Sequence, residues 1–233
     1  MRDAKNDIKR PERNQDKETN SGRSNTDNNM KIAKRLLGKE GIELTEKMDN
    51  QLHAYLHLIR DWNSFASLVS QKDLELLEKV HVPDSLSLAP LIRRLGEGPL
   101  HLLDIGSGGG FPAIPLKIVL PELEVEMVER GARKVGFIEK VAGSLHLGSV
   151  QVVQGNFPEV EVGCPQVVTA RAVEKPGKLL PHLLDLLPVG GIFLCQTVLP
   201  QLDARFHVER VLDDWTAGGL RRGDLHVIRR VAT

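Results

Sequence analysis

Residues 102–116 read LLDIGSGGGFPAIPL, and this stretch decides the fold. An apolar run holding Asp104 leads into glycines at 106, 108, 109 and 110, and Pro112 opens a second apolar run. Glycine loses more conformational freedom on folding than any other residue. Four within five positions therefore mark a turn where side chains would obstruct something. A tight turn alone needs one or two. Proline suits the first turn of a helix, where its missing N–H does no harm. The stretch reads as strand, turn, helix, and in an open α/β sheet that turn faces the ligand crevice beyond the carboxyl ends of the strands.

The segments downstream keep the same rhythm. Strand-like runs stand at 100–105, 124–129, 150–154, 166–171 and 191–196, with helical runs at 112–120, 131–145 and 176–187 between them. This alternation predicts an α/β fold, a parallel Rossmann-like sheet with helices on both faces. The runs 206–212 and 224–231, joined by a turn containing glycine and tryptophan, predict a closing antiparallel pair. Upstream, Met48, Leu52, Tyr55, Leu56, Ile59 and Trp62 recur at helical spacing behind Thr45, a candidate N-cap. Two shorter helical runs, 71–80 and 84–95, are expected on either side of Pro83. The domain reading is a polar disordered tail at 1–29, an N-terminal helical cap at 30–97 and a cofactor-binding domain at 98–233, with Met30 a candidate initiator.

Bulk composition narrows the partners. The 233 residues carry 31 basic and 31 acidic side chains, so any contact with nucleic acid must come from a local patch. The tail is itself nearly balanced and reads as a solvated segment, not a basic arm. Neither a run of roughly 20 apolar residues nor a signal peptide is present, so no membrane contact is expected and a cytoplasmic location is. Cys164 and Cys195 lack metal-ligand spacing and read as reduced core thiols; no metal site is expected.

The ligand follows from the acids around the glycines. A dinucleotide fingerprint requires glycine where Phe111 stands, and a phosphate-binding loop requires Gly-Lys-Ser/Thr, which is absent. Instead Asp104 precedes Gly106, and Glu129 ends the next strand. A carboxylate at that second position accepts both hydroxyls of a ribose, and Asp104 suits a ligand with positive charge. The pattern points to S-adenosylmethionine, hence to a class I S-adenosylmethionine-dependent methyltransferase. Gly106, Ser107, Gly108, Gly110 and Phe111 complete the expected cofactor loop. Taken alone, Glu129 also has a reading as a solvated strand-end carboxylate; in combination with the glycine turn it reads as a ligand residue.

From DIGSGGGFPAIPL through the Arg133-Lys134 and Phe137-Ile138 spacing of the following helix, the chain resembles the RsmG (GidB) family of bacterial 16S ribosomal RNA guanine-N7 methyltransferases. LIRDWN (58–63), HVPDSL (81–86), TARAV (169–173) and LHVIRR (225–230) are similar to further elements of that family. The resemblance implies methyl transfer to N7 of a guanine in 16S ribosomal RNA, free or in the small subunit, by a monomer. It implies Arg171 as the residue nearest RNA and cofactor, Asn63 beside it in catalysis, Asn156 on the cofactor, and His81, Asp84, Arg133 and Lys134 on the substrate. For these residues a structural histidine, a helix cap and a solvated helix face stay open as readings, and for Arg171 an ion pair with Asp104 or Glu129. The chain departs from the family in FASLVS (65–70), where an Asn-Leu-Thr element is usual, at Asn156, a basic position, and at Gln196-Thr197, where a lysine is usual. An Asn/Asp-Pro-Pro-aromatic motif for exocyclic amines is missing, and no cysteine stands where a pyrimidine C5 enzyme needs its nucleophile. Methylation of a small molecule or protein, and an inactive cofactor-binding module, are the alternatives.

Overall fold

The computed structural model describes residues 19–96, 98–170, 176–196 and 202–232. Strands β1 (His101–Ile105), β2 (Glu124–Glu129), β3 (Val150–Gln154), β4 (Val167–Ala170) and β5 (Ile192–Cys195) pair in parallel. β6 (Phe206–Arg210) and β7 (His226–Arg230) close the sheet antiparallel, giving the order β3-β2-β1-β4-β5-β7-β6. The strand order reverses between β1 and β4, and the crevice opens there. Every strand expected from the sequence is present.

Alternation sorts the sheet's side chains. Leu102, Val125, Met127 and Val167 pack on one face beneath the helices α6 (Ala113–Val119) and α7 (Ala132–Ser144). Leu103, Val128, Val168 and Phe193 pack on the other against Leu180, Leu183 and Leu184 of α8 (Pro176–Leu186). Cys195 is buried, whereas Cys164, expected in the core, is exposed because it lies in the loop before β4.

The N-terminal helices extend the first face. The first, α1 (Thr19–Lys39), starts eleven residues before the expected boundary at Met30, so 19–29 is helical where disorder was expected. Its Ala33, Leu36 and Leu37 are buried, and Asn29 donates to the Lys79 carbonyl at 2.8 Å. The rest of the expected tail, 1–18, lies outside the described residues. Helix α2 (Glu46–Ala66) opens at Thr45, whose hydroxyl accepts from the Met48 N–H, and buries Leu52, Tyr55, Leu56 and Ile59. The region around Pro83 departs from expectation. After α3 (Gln71–Leu74), a π-helical turn (Leu77–His81) runs directly into α4 (Val82–Leu86), followed by α5 (Ala89–Arg93). Pro83 sits in the first turn of α4, where it needs no N–H partner, so it starts a helix and does not divide two.

α2 ends at Ser67, which adopts φ 50° and ψ 54° and donates its N–H to the Asn63 carbonyl. This left-handed cap position favours glycine. Ser67→Gly is expected to raise stability by about 0.5–1 kcal/mol, the relief of side-chain strain less the added freedom of the unfolded chain. Thermal unfolding checks this; a lower midpoint would show that the serine side chain contributes more than its backbone costs.

Candidate active site

A cavity of about 620 Å³ lies between the N-terminal helices and the carboxyl ends of the central strands. Its floor is the glycine turn after β1, within the size range of small-molecule sites. Gly106 and Ser107 donate their N–H groups to the Val128 carbonyl, and Gly110 donates to the Ser107 carbonyl at 2.7 Å. From the far side Tyr55 donates its hydroxyl to the Gly109 carbonyl at 2.6 Å. At Gly110, with φ 91°, a Cβ would lie 2.7 Å from Ile114 Cγ1, so packing alone requires glycine there. At Gly108, with φ 55°, a Cβ would meet nothing closer than 3.8 Å. Gly108 lines the cavity, so a side chain there would enter the cavity and not the packed interior.

Both acids expected at the ligand lie beneath the turn. Glu129 is 6% exposed; its Oε2 accepts the Gly108 N–H at 2.9 Å and its Oε1 the Gly131 N–H at 2.8 Å. Each oxygen keeps a second lone pair, so the carboxylate holds the loop and still has acceptor capacity. Asp104 is wholly buried and pairs across the strand-order reversal, accepting from the Thr169 hydroxyl at 2.7 Å. Neither acid is part of the cavity lining; in this structure both lie behind the turn, Glu129 bonded to its backbone and Asp104 to Thr169.

The residues expected to meet substrate divide. His81, Asp84 and Lys134 line the cavity. His81 is largely buried, lies 5.4 Å from the Phe111 ring at a tilt of 40° and contacts Asp73 Oδ1 through Nε2 at 3.1 Å. Asp73 is held below the usual carboxylate range, chiefly by the Ser70 hydroxyl, against some burial, with His81 and Arg222 adding to the effect. Asp84 Oδ1 accepts from Gln196 Nε2 at 2.9 Å and from the Arg222 main-chain N–H at 2.7 Å. It is no N-cap: it lies inside α4, and no side-chain bond caps that helix. Gln196 stands where the family usually has lysine, and its amide reaches a carboxylate.

Asn63 and Arg133 do not line the cavity. The Asn63 side-chain amide spans the Val69 backbone, donating to its carbonyl at 3.1 Å and accepting its N–H at 2.9 Å. Val69 lines the cavity, so in this structure Asn63 shapes the wall from behind. Arg133 is exposed, donates to the Phe65 carbonyl at 3.2 Å and lies 4.9 Å over the Phe65 ring, tying α7 to the end of α2. Asn156 is exposed in the turn after β3 and also absent from the lining. Arg171 and Thr197 lie outside the described residues. Asp73 and Arg222 line the cavity without having been singled out from the sequence. Asp73 had only its place three residues after Ser70 to mark it, and the Arg221-Arg222 pair was hidden in an unremarkable turn.

Among the described residues no helix is long and apolar enough to cross a membrane, and no cluster of His, Cys, Asp and Glu suits a metal. Comparison of solved structures bears on the fold. A putative O-methyltransferase from Klebsiella pneumoniae superposes with TM-score 0.55 at 15% identity, covering 85% of this chain and 96% of its own. An SAH-bound methyltransferase from Podospora anserina gives 0.54 at 14% identity, covering 78% and 88%. The fold is that of the class I S-adenosylmethionine-dependent methyltransferases. In sequence, the Ribosomal RNA small subunit methyltransferase G of Leptothrix cholodnii is 33% identical over 181 residues, 73% of this chain and 83% of its own. That of Neisseria gonorrhoeae is 33% identical over 162 residues, 69% and 76%. That of Chloroflexus aggregans is 38% identical over 159 residues, 66% of each chain. The family model described as GidB, rRNA small subunit methyltransferase G, matches residues 48–198. A glycine turn tied to the acid of the next strand, on this sheet and with these relatives, makes the chain a member of the rRNA small subunit methyltransferase G family.

Proposed function

We propose that this protein transfers a methyl group to N7 of a guanine in 16S ribosomal RNA of the small subunit. The observation that carries the reading is the glycine turn held by Glu129 at the floor of a cavity whose opposite wall is polar. S-adenosylmethionine, when bound, supplies an electrophilic methyl on a sulfonium. Guanine N7 offers a lone pair and has no proton to lose, so no strong general base is required. The chain's task is orientation, which by itself can lower a barrier by about 7–11 kcal/mol. In this reading Glu129 and the Gly106–Gly110 turn hold the cofactor, with Asp104 supporting the turn and its charge. Phe111 and His81 form a ring-lined wall for the acceptor base, and Asp84 with Gln196 fixes the rear of the cavity. Lys134 faces the RNA, Arg133 and Asn63 hold the wall, and Arg171, outside the described residues, is the residue the family resemblance assigns to the RNA. Residues 30–97 then serve as the substrate-facing cap on the methyltransferase domain at 98–233. A monomer in the cytoplasm, where its ribosomal substrate is made, completes the proposal.

The test is chemical. N7-methylated guanine carries a fixed positive charge and its glycosidic bond becomes labile, so reduction and aniline cleave the RNA there. Small-subunit RNA from a strain lacking the gene should lose one cleavage site and one N7-methylguanosine by nucleoside mass spectrometry, and the gene should restore both. RNA unchanged by deletion would overturn the substrate and move the activity to a small molecule or a protein.

A further inference from the structure

The cavity's mouth holds an arginine delivered from outside the matched family segment. Arg222 lies in the connection from β6 to β7, beyond residues 48–198. Its neighbour Arg221 fixes that connection. The Arg221 side chain is wholly buried and forks onto Asp213, with Nη1 to Oδ1 at 2.8 Å and Nη2 to Oδ2 at 3.0 Å. It also donates to the Ser87 hydroxyl and carbonyl, both at 3.2 Å. The Arg222 main-chain N–H donates to the wholly buried Asp84. Two consecutive residues thus bolt the hairpin connection to the helices across the cavity.

The Arg222 side chain points the other way. It lines the cavity and is 55% exposed, and its ion-pair contact, to Asp73 Oδ1, is long at 3.5 Å. That Asp73 oxygen has a closer partner in His81, and Oδ2 takes the Ser70 hydroxyl at 2.7 Å. A guanidinium carries five N–H donors in a rigid fork, so one long contact to Asp73 engages little of its donor capacity. Lys134 stands on the sheet side of the same cavity.

We propose that Arg222 grips a backbone phosphate of the RNA beside the acceptor nucleotide; this rests on the rRNA methyltransferase reading above. A phosphate matches the guanidinium fork, and contact at a hydrated rim suits a group that never leaves water completely. A base edge fits less well. An arginine forked onto guanine O6 and N7 would occupy the lone pair that must accept the methyl. Because the backbone N–H, not the side chain, makes the bond to Asp84, replacing the side chain leaves the bolt in place.

The experiment measures binding of the full chain to unmethylated 16S ribosomal RNA between roughly 50 and 200 mM salt. Wild type, Arg222→Ala and Arg222→Lys are compared, with S-adenosylmethionine affinity and thermal midpoint as folding controls. Arg222→Ala should weaken RNA binding about tenfold at low salt and reduce the slope of log affinity against log salt by about one. Arg222→Lys should restore the slope, and all three proteins should bind the cofactor equally. A wild-type slope in Arg222→Ala, or an unchanged slope with methylation shifted to other nucleotides, overturns the phosphate assignment while wild-type methylation leaves the function intact. Restored slope in neither variant, with cofactor affinity lost in both, makes Arg222 structural and overturns it too. If wild type neither binds nor methylates the RNA, both the function and this assignment fall.

Discussion

Arg221→Ala should lose about 3–5 kcal/mol of folding stability, because it empties a wholly buried site and removes the donors that Ser87 and the partly exposed Asp213 share. For a chain of this size that is a fall of roughly 6–20 °C in the thermal midpoint. Asp213 cannot turn to water without loss, since it also accepts the Trp215 and Thr216 N–H groups at the start of α9 (Asp214–Ala217). Arg221→Met combined with Asp213→Asn should recover part of the deficit: the charges go together, while asparagine still caps the helix. Denaturant unfolding of Arg221→Met, Asp213→Asn and the double variant gives the coupling energy. An Arg221→Ala protein within about 0.5 kcal/mol of wild type, the range of an ordinary surface change, would show that this bolt does not hold the hairpin. Acid offers an independent check. Burial alone would raise the Asp213 carboxyl, yet the Arg221 guanidinium and Thr216 bonds outweigh it and lower the group below its ordinary 3.8. A depressed acid contributes stability that is complete above the unfolded value and is lost as pH falls through the folded one. Wild type should therefore destabilise more steeply than Asp213→Asn below about pH 4.

Glu129→Ala and Glu129→Gln should both weaken S-adenosylmethionine binding by about 2–4 kcal/mol, or roughly 30- to 1000-fold. Two charge-assisted bonds to the backbone disappear in alanine, and the turn that carries Gly108 loses its tie to β2. Glutamine fails for a sharper reason. Each Glu129 oxygen faces an N–H donor, so an amide must set its NH₂ against one of them. Isothermal calorimetry on folded variants reads the loss. Near wild-type affinity in Glu129→Gln would mean that the carboxylate neither holds the loop nor meets the ligand. Gly108→Val should abolish binding outright, since its branched side chain enters the open space above the turn and resists the positive φ.

The sequence by itself determined the sheet, the order of its elements, the glycine turn and the cofactor class. Those signals are local: strand and helix periods read along the chain, and glycines at 106 to 110 stand together because one turn needs them. The same locality explains the differences near Pro83, which a first helical turn accommodates, and at 19–29, a polar stretch that continues the helix whose Ala33, Leu36 and Leu37 are buried. Only the tertiary structure decided which polar side chains meet the cavity. Asp104 and Asn63 lie in motifs that read as direct ligands, yet strand pairing and the turn after α2 aim them at Thr169 and Val69. Arg222 is 138 residues from Asp84 in the chain and carried no motif, but the buried Arg221 fork brings its turn to the cavity mouth. A turn is encoded by neighbours in sequence; a side chain's partner is set by which distant backbone the fold brings within hydrogen-bond reach.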